Sequence, residues 1–264
     1  RQVLLATSEA ANKYLGARPG DIWSLLLPTN HIAGINVLTR AYLLGTEVVS
    51  VKDFANFTAI VPTQLFRALN GDAQLLKHLQ GCKAVLVGGA AADVDLLAKA
   101  NSAGINCITT YGMTETSGGC IYDGLPLPGV EVRIGETIEL KGPMLARVEL
   151  KDGYFETSDL GKIENGKLIV LGRADDVINS GGKKVSLSKV EMALGESFAA
   201  FGTENSEWGA SLNIATTSQM SDEEIQLVLS VKFGVKALQI YRVSEIPRTA
   251  LEKIDRQALG RLSK

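Results

Sequence analysis

The sequence predicts an α/β protein in which a mainly parallel sheet is followed by a β-rich segment and a small α+β unit. Three observations predict this order. Strand and helix patterns alternate from the start to Thr109, short β segments broken by Gly, Pro and Asn follow from Gly124, and mixed patterns return after Gly172. Because alternating strands and helices favour parallel pairing with helices on both faces, the first part should be a layered sheet.

Apolar spacing and stop signals define the predicted elements of the first half. Three of its helices end at glycines, Gly16, Gly45 and Gly104, which favour helix C-termini. Another begins after Pro62, with Thr63 as its expected N-cap. The predicted helices cover 3–15, 34–44, a stretch after residue 62, and 93–103, and the predicted strands cover 22–27, 47–51, 59–61, 84–87 and 105–109.

The second half is predicted to contain short strands and three helices. Asn165-Gly166 has the residue types that a tight type I′ hairpin turn requires. Ser186 is the expected N-cap of one helix, and Ser221 with Glu224 forms a capping box for the next. The predicted strands are 131–134, 137–141, 155–157 and 167–171, and the helices are 187–194, 221–229 and 255–262. We expect two domains, residues 1–173 and 174–264.

Composition indicates a globular chain of one large or two ordinary domains. The 264 residues are 45% hydrophobic and 21% charged, with a net charge of −2 that is well mixed along the chain. No basic stripe favours nucleic acid. Three cysteines without metal-ligand spacing argue against a disulfide framework or a zinc site. No apolar run approaches the ~20 residues needed to cross a bilayer. We therefore expect a soluble cytoplasmic enzyme or binding protein.

The hexapeptide Tyr111-Gly112-Met113-Thr114-Glu115-Thr116 is the most informative motif. It follows a predicted strand, where open α/β sheets place ligand-binding groups. Glu115 offers hard oxygens to Mg²⁺, Thr114 a hydroxyl to phosphate and Tyr111 a flat face to a base. Taken alone, these six residues fit a nucleotide site and an ordinary polar turn equally well.

Three further segments carry chemically useful groups. Asp159 follows a strand, where its carboxylate could accept both hydroxyls of a ribose, and Arg173 lies one short hairpin later. Ser180-Gly181-Gly182-Lys183-Lys184 permits close backbone approach beside two positive charges. Lys253 precedes the last helix. Separately, a surface ion pair, an ordinary loop and a solvated lysine are the better interpretations. Their joint occurrence in this order favours a site.

These motifs, in collinear order, resemble the C-terminal two thirds of acyl/aryl-CoA synthetases of the adenylate-forming (ANL) superfamily. The resemblance covers essentially all 264 residues, and within the superfamily it is strongest to the o-succinylbenzoate–CoA ligases of menaquinone biosynthesis. The narrower assignment rests on the compact build, on residues 143–146 and on the loop 179–182. The motifs that carry the resemblance are 28–34, 61–63, 87–90, 111–116, 124–130, the Asp159 segment, 172–178 and 247–249.

The resemblance implies a fold and a first half-reaction. The chain would hold the remainder of a large adenylate-forming domain, with mainly parallel α/β sheets and a small β-barrel-like part, followed by an α+β lid domain. ATP, with Mg²⁺, and a carboxylic acid would form an acyl-adenylate and pyrophosphate. Adenine would lie against Tyr111-Gly112 and Gly88-Gly89-Ala90. Thr114 would contact the α-phosphate and Glu115 the Mg²⁺.

The remaining roles implied by the resemblance belong to the ribose and to the lid. Asp159 and Arg173 would hold the ribose. Lys253 would bridge the acid carboxylate and the α-phosphate as negative charge builds between them. A preorganised cation of this kind is typically worth roughly 10²–10³ in rate.

The second half-reaction implied by the resemblance is displacement of AMP by the CoA thiol. The lid would rotate about Asp175, and Gly181 with Gly182 would line the pantetheine tunnel. His31 would stand between the acyl pocket and the thiol entry. The alternative for His31 is a buried core histidine.

Two departures from the family pattern accompany the resemblance. The family's Ser/Thr/Gly-rich phosphate loop should precede Arg1, so we expect the chain to be part of a longer protein. Glu252 stands where the family has Gly before the catalytic lysine, and its carboxylate would weaken the field of Lys253. Other aryl or acyl acids, a carrier-protein thiol as acceptor, and a non-catalytic adenylate-binding scaffold stay open as alternatives. A homodimer is the family-based expectation.

Overall fold

The computed structural model describes residues 2–90, 92–195, 197–205, 209–248 and 254–263. The chain divides into two compact units. Unit 1 is Arg1–Thr157 with Gly161–Ile169, and unit 2 is Ser158–Leu160 with Val170–Lys264. The functional boundary expected between residues 173 and 174 stays a prediction. No helix in the described parts of the chain is both long and apolar enough to span a membrane.

A six-stranded sheet forms the centre of unit 1. Its first four strands are parallel, as the alternation of strands and helices predicts, and its last two turn back antiparallel. The strands follow one another in chain order: β1 Trp23–Ser24, β2 Phe57–Ile60, β3 Ala84–Val87, β4 Cys107–Met113, β5 Gly118–Tyr122 and β6 Leu125–Pro126.

Helices cover both faces of this sheet because alternate side chains of each buried strand point to opposite sides. Phe57 and Ala59 of β2 pack in the core that includes residues of α1 and α2, whereas Ile60 packs in the core that includes residues of α3, α4 and α5. The helices are α1 Gln2–Tyr14, α2 Ile32–Leu43, α3 Pro62–Leu69, α4 Ala73–Gly81 and α5 Val94–Ser102.

The β-rich segment forms a small antiparallel sheet and a hairpin. The hairpin turns at Asn165 and Gly166, whose φ values of 52° and 75° confirm the predicted left-handed turn residues. The sheet contains β7 Glu131–Ile134, β8 Ile138–Lys141 and β9 Phe155–Glu156, and the hairpin contains β10 Asp159–Glu164 and β11 Lys167–Arg173.

Unit 2 is an α+β unit with its own core. The N-caps predicted from the sequence are confirmed, since Ser186 accepts from Lys189 N and Ser221 with Glu224 forms a capping box. Its elements are β12 Val177–Ser180, β13 Lys183–Ser186, α6 Leu187–Leu194, β14 Phe198–Asn205, β15 Gly209–Thr216, α7 Asp222–Phe233, β16 Gln239–Arg242 and α8 Arg256–Leu259, followed by a 3₁₀ turn Gly260–Ser263.

Several predicted elements differ in the structure. The strand expected at 47–51 is reduced to one bridge between Val49 and Ser24. Thr63 is not an N-cap: helix α3 begins at Pro62, and Gln64 Oε1 accepts from Val61 N, the actual N-cap. The strand expected to end at Thr109 continues to Met113, because β5 pairs with its second half.

Candidate functional site

The predicted nucleotide motif forms the end of β4 and the turn that leads into β5. Gly112 and Tyr111 pair with Gly119 and Ile121 of β5, so both residues lie in the strand instead of the expected loop. The half-buried Tyr111 ring packs against the core around Ile121. Thr114 and Glu115 are exposed in the turn.

The buried side chain of Thr116 stabilises this turn by hydrogen bonds to the backbone on both sides of it. Its side chain is fully buried, and its Oγ1 accepts from Met113 N at 2.8 Å and donates to Gly118 O at 2.7 Å. The next residue, Ser117, has a positive φ of 52°, which a non-glycine residue adopts at an energetic cost. The predicted phosphate and Mg²⁺ groups are therefore carried on a turn with a defined shape.

Beside this turn lies a cavity of about 120 Å³, here called the glycine pocket. Glycine backbone forms part of its wall because the neighbouring atoms leave no room for a side chain: a Cβ on Gly88 would collide with Thr110 Oγ1, and one on Gly112 with Gly118 O. Gly89 also contributes to the wall. The rest of the wall is mainly apolar, with four polar side chains among its residues, Asn36, Arg40, Thr110 and Tyr122.

Arg40 is the unexpected member of the glycine pocket. It is 4% exposed, its Nη2 donates to Tyr122 Oη at 3.0 Å, and its guanidinium carbon lies 5.1 Å from the centre of the Trp23 ring. Within the described residues its Nε has no hydrogen-bond partner and no carboxylate pairs with the guanidinium. Arginine stays charged in proteins, so this pocket contains an uncompensated cation.

Asn36 lies four residues before Arg40, one turn earlier in the same helix. Its Nδ2 donates to Ser117 O at 2.8 Å, and its Oδ1 accepts from Ser8 Oγ at 3.1 Å, so it ties α2 to the β4–β5 turn. Neither Asn36 nor Arg40 was among the sequence candidates. Their spacing of four residues on the apolar stretch Ile32–Leu43 was the available signal, since it places two polar groups on the buried face.

His31 is the N-cap residue of α2 and makes no side-chain capping bond. It is partly exposed, unlike the buried core histidine of the alternative interpretation, and it directly precedes Ile32, which lines the glycine pocket. Ala90 is exposed just after Gly89. The structure thus gathers Gly88, Gly89 and Gly112 at one pocket of unit 1, with the turn that carries Thr114 and Glu115 directly after Gly112.

Unit 2 contains the other predicted groups. Asp159 begins β10 and is 8% exposed, and its Oδ1 lies 3.8 Å from Nη1 of Arg173 at the end of β11. The structure therefore brings the two predicted ribose residues together. Gly181 and Gly182 form the β12–β13 turn with φ values of 60° and 79°. The backbone of Asp175 lies in a 3₁₀ turn, Ala174–Asp176. Lys253 and Glu252 lie outside the described residues.

Residues 2–153 match the model described as AMP-binding enzyme. The chain belongs to this family. It is 35% identical over 304 aligned residues to the protein named probable 2-succinylbenzoate–CoA ligase of Mycobacterium tuberculosis, covering 98% of this chain and 78% of that protein.

Solved structures give the same result. An arginine-to-lysine variant of Escherichia coli MenE with bound OSB-AMS matches with a TM-score of 0.79 and 26% identity, covering 100% of this chain and 65% of that one. The o-succinylbenzoate CoA synthetase (MenE) of Bacillus subtilis in complex with OSB-AMP matches with a TM-score of 0.85 and 24% identity, covering 98% and 64%. The chain thus spans just under two thirds of these structures, and the adenylate-forming fold is confirmed.

Proposed function

We propose that the protein is an ATP-dependent acid–CoA ligase that converts o-succinylbenzoate, through an acyl-adenylate, into its CoA thioester in menaquinone biosynthesis. The observation that carries the choice of acid is Arg40, a buried cation without an acidic partner among the described residues, at a mainly apolar pocket. The names of the related ligases point to the same acid.

A buried guanidinium favours an acid with two carboxylates. Burying a charge is costly unless the charge is paired, and Tyr122 supplies only a hydroxyl dipole. An acid with one carboxylate would use that group in the adenylate and leave Arg40 unpaired. o-Succinylbenzoate has two, so one can react while the other pairs with Arg40, and its ring suits the apolar wall.

In the proposed first step, the acid carboxylate attacks the α-phosphorus of ATP, a carboxylate–phosphorus bond forms, and pyrophosphate leaves. No general base is needed because the acid is already an anion at neutral pH. Thr114 donates its hydroxyl to the α-phosphate, and Tyr111 with the Gly88-Gly89-Ala90 loop and Gly112 borders the adenine. Lys253 bridges the carboxylate and the phosphate as charge develops between them.

The other residues proposed for this step bind the ribose and the metal ion. Asp159 accepts hydrogen bonds from the ribose hydroxyls, with Arg173 beside it. Glu115 is an exposed single carboxylate, and the described residues contain no cluster of three or more potential metal ligands. This donor set fits Mg²⁺, which usually takes one or two protein carboxylates together with substrate phosphates. When bound, Mg²⁺ supplies neutralisation of phosphate charge.

In the proposed second step, the CoA thiolate attacks the acyl carbonyl, a carbon–sulfur bond forms, and AMP leaves. Gly181 and Gly182 line the path of the pantetheine, which suits an open turn where no side chain would block close approach. His31 borders the thiol entry at the start of α2. Asp175 is the hinge between residues 1–173 and the lid, 174–264. We further propose a cytoplasmic location and a homodimer.

The decisive experiment compares three acids with the full-length protein, ATP and Mg²⁺. Pyrophosphate release should be rapid with 2-succinylbenzoate and slow with 4-oxo-4-phenylbutyrate, which lacks the ring carboxylate, and with benzoate, which lacks the side chain. Addition of CoA should then give the 2-succinylbenzoyl thioester, detected by mass spectrometry. Equal rates with all three acids would exclude the proposed substrate, and tight binding of an acyl-adenylate analogue without turnover would favour the non-catalytic scaffold.

The substitution Lys253→Ala tests the proposed lysine. Adenylation should fall by roughly 10²–10³-fold, the usual effect of removing one preorganised donor to developing charge. Undiminished pyrophosphate release would remove Lys253 from this role. Glu252→Gly, which restores the family pattern, should keep or raise the rate.

A further inference from the structure

Arg256 is the centre of an ion-pair cluster within unit 2, three residues after Lys253 in the sequence. Its Nη2 lies 2.8 Å from Asp176 Oδ1 and 3.0 Å from both carboxylate oxygens of Glu191. Its Nε also donates to Ala200 O at 3.2 Å. One guanidinium therefore joins the 3₁₀ turn Ala174–Asp176, helix α6 and strand β14.

Both carboxylates of the cluster are themselves fixed. Asp176 is 6% exposed, and its Oδ2 accepts from Ser188 N at 2.9 Å and from Ser186 Oγ at 3.2 Å, at the start of α6. Glu191 Oε1 accepts from Ala200 N at 2.9 Å. The anchor for Arg256 is thus rigid, because each acceptor is held by backbone as well as by the guanidinium.

Arg256 is one of the charged groups that set the pKa of Glu191. Burial raises the pKa of Glu191 to about 7, and the carboxylate of Asp176 acts in the same direction, whereas Arg256 and Arg248 lower it. Arg256 Nη2 lies 3.0 Å from Oε2 of this carboxylate. Its loss would remove the guanidinium that pairs with both Glu191 and the buried Asp176.

The chain on either side of residues 249–253 is tied down as well. Arg248 and Ile254 form an antiparallel bridge, and Asp255 N donates to Pro247 O at 2.8 Å. Ile254 packs against the core that contains Phe201 and Leu259. These contacts bring both flanks of the Lys253 segment together, and Arg256 continues directly from them.

We propose that Arg256 is a positioning residue for adenylation: by bonding to Asp176 and Glu191 it holds the segment that follows Lys253 against the residue next to the hinge Asp175. This inference rests on the proposed function. The role is confined to the first half-reaction because Lys253 acts only there. Misplacement of a reacting group by about 1 Å can cost roughly 10²-fold in rate.

The experiment measures the two half-reactions separately in the full-length protein. Adenylation is followed by ATP–pyrophosphate exchange with 2-succinylbenzoate, and thioester formation starts from the synthetic acyl-adenylate and CoA. For Arg256→Gln, exchange should fall by roughly 10²-fold while thioester formation stays within about threefold. A general weakening of unit 2 would lower both, because unit 2 also supplies the Gly181-Gly182 turn.

Two further variants make the result decisive. Arg256→Lys keeps the positive charge but loses the planar guanidinium that bonds to two carboxylates at once. The rate of ATP–pyrophosphate exchange should therefore fall only about tenfold, and the rate of thioester formation should again stay unchanged. If Arg256→Gln does not fold, this variant decides the comparison. Arg242→Gln removes an exposed arginine of the same unit, paired with Asp222, and should change neither rate. Equal losses in both half-reactions, or unchanged exchange, would overturn the positioning role. Absence of exchange in the wild-type protein would instead refute the proposed function.

Discussion

Arg40 on α2 donates a 3.0 Å hydrogen bond to the hydroxyl of Tyr122 on β5, 82 residues further along the chain. Tyr122 is fully buried, and burial raises the pKa of its phenol, so the hydroxyl stays neutral at physiological pH. A neutral hydroxyl orients the guanidinium without cancelling its charge. Within the described residues, Arg40 is therefore a positioned cation at the glycine pocket with no carboxylate paired to it.

The substitution Arg40→Met separates binding of the acid from stability. Removing a hydrogen-bonded charge partner should lower kcat/KM for 2-succinylbenzoate by about 10–100-fold, since such bonds contribute about 1.5–3 kcal/mol. The thermal midpoint should stay the same or rise, because a buried unpaired charge is replaced by an apolar group. Kinetics with 4-oxo-4-phenylbutyrate are the control, and an equal loss with that acid would contradict a role in carboxylate recognition.

Two threonines of the β4–β5 turn should respond in opposite ways to the same substitution. Thr116→Val leaves Met113 N–H without its buried acceptor, which should lower the free energy of unfolding by about 1–3 kcal/mol, measured in urea. Thr114→Val changes an exposed side chain and should leave stability unchanged while it slows adenylation. A stability loss in the Thr114 variant together with full activity would show that the proposed phosphate contact is wrong.

Local patterns sufficed for the parallel sheet and for the caps Ser186 and Ser221, but not for Thr63, which lies inside α3. Ser186, Ser221 and the Asn165-Gly166 turn depend on neighbours within three residues, so their sequence signals were complete. The predicted strand at 47–51 failed because it had strand-forming residues but only one bridge to Ser24 to stabilise it. Strand pairing is tertiary, and β propensity alone does not determine it.

The candidate site was predictable only where its groups form one motif. Thr114 and Glu115 stood out because they lie in a single hexapeptide after a strand. Arg40 did not, because what makes it unusual is burial beside Tyr122, and neither burial nor that pairing is visible from an isolated arginine. The ion pairs of Arg256 with Glu191, 65 residues away, are hidden for the same reason.

All three cysteine thiols should be unreactive in the folded protein. Burial raises the pKa of Cys82 and of Cys107 to about 11 and that of Cys120 to about 12. At pH 8 the reactive thiolate is then on the order of 0.1% of each thiol or less. A chromogenic disulfide reagent should modify almost none of these three thiols in native protein and all three after unfolding in urea. Rapid native reaction of one thiol would place that cysteine in a more exposed environment.

The last prediction is that His78 makes the folding stability of the protein sensitive to acid. Its Nε2 lies 2.7 Å from Ser24 Oγ inside unit 1. Burial lowers the pKa of His78 below its usual 6.5, so the folded state prefers the neutral ring. The unfolded chain binds a proton as the pH falls through about 6.5, whereas the folded state binds it only at lower pH. Stability is thus fully present above about pH 6.5 and decreases as the pH falls towards the folded pKa.

The direction of this pH dependence of stability can be tested by substituting each of the two histidines of the chain. The contribution of His78 to the urea midpoint should fall between pH 7.5 and 5.5, and it is measured as the difference between wild type and variant, because Glu191, whose pKa is raised to about 7, acts in the opposite direction in this window. His78→Gln removes the group that binds the proton and should reduce that fall, although its midpoint at pH 7.5 will be lower because a buried partner of Ser24 is lost. His31→Gln, at the partly exposed start of α2, is the matched control and should keep the wild-type pH dependence. A His78 variant with an undiminished fall would show that acid sensitivity arises at other groups.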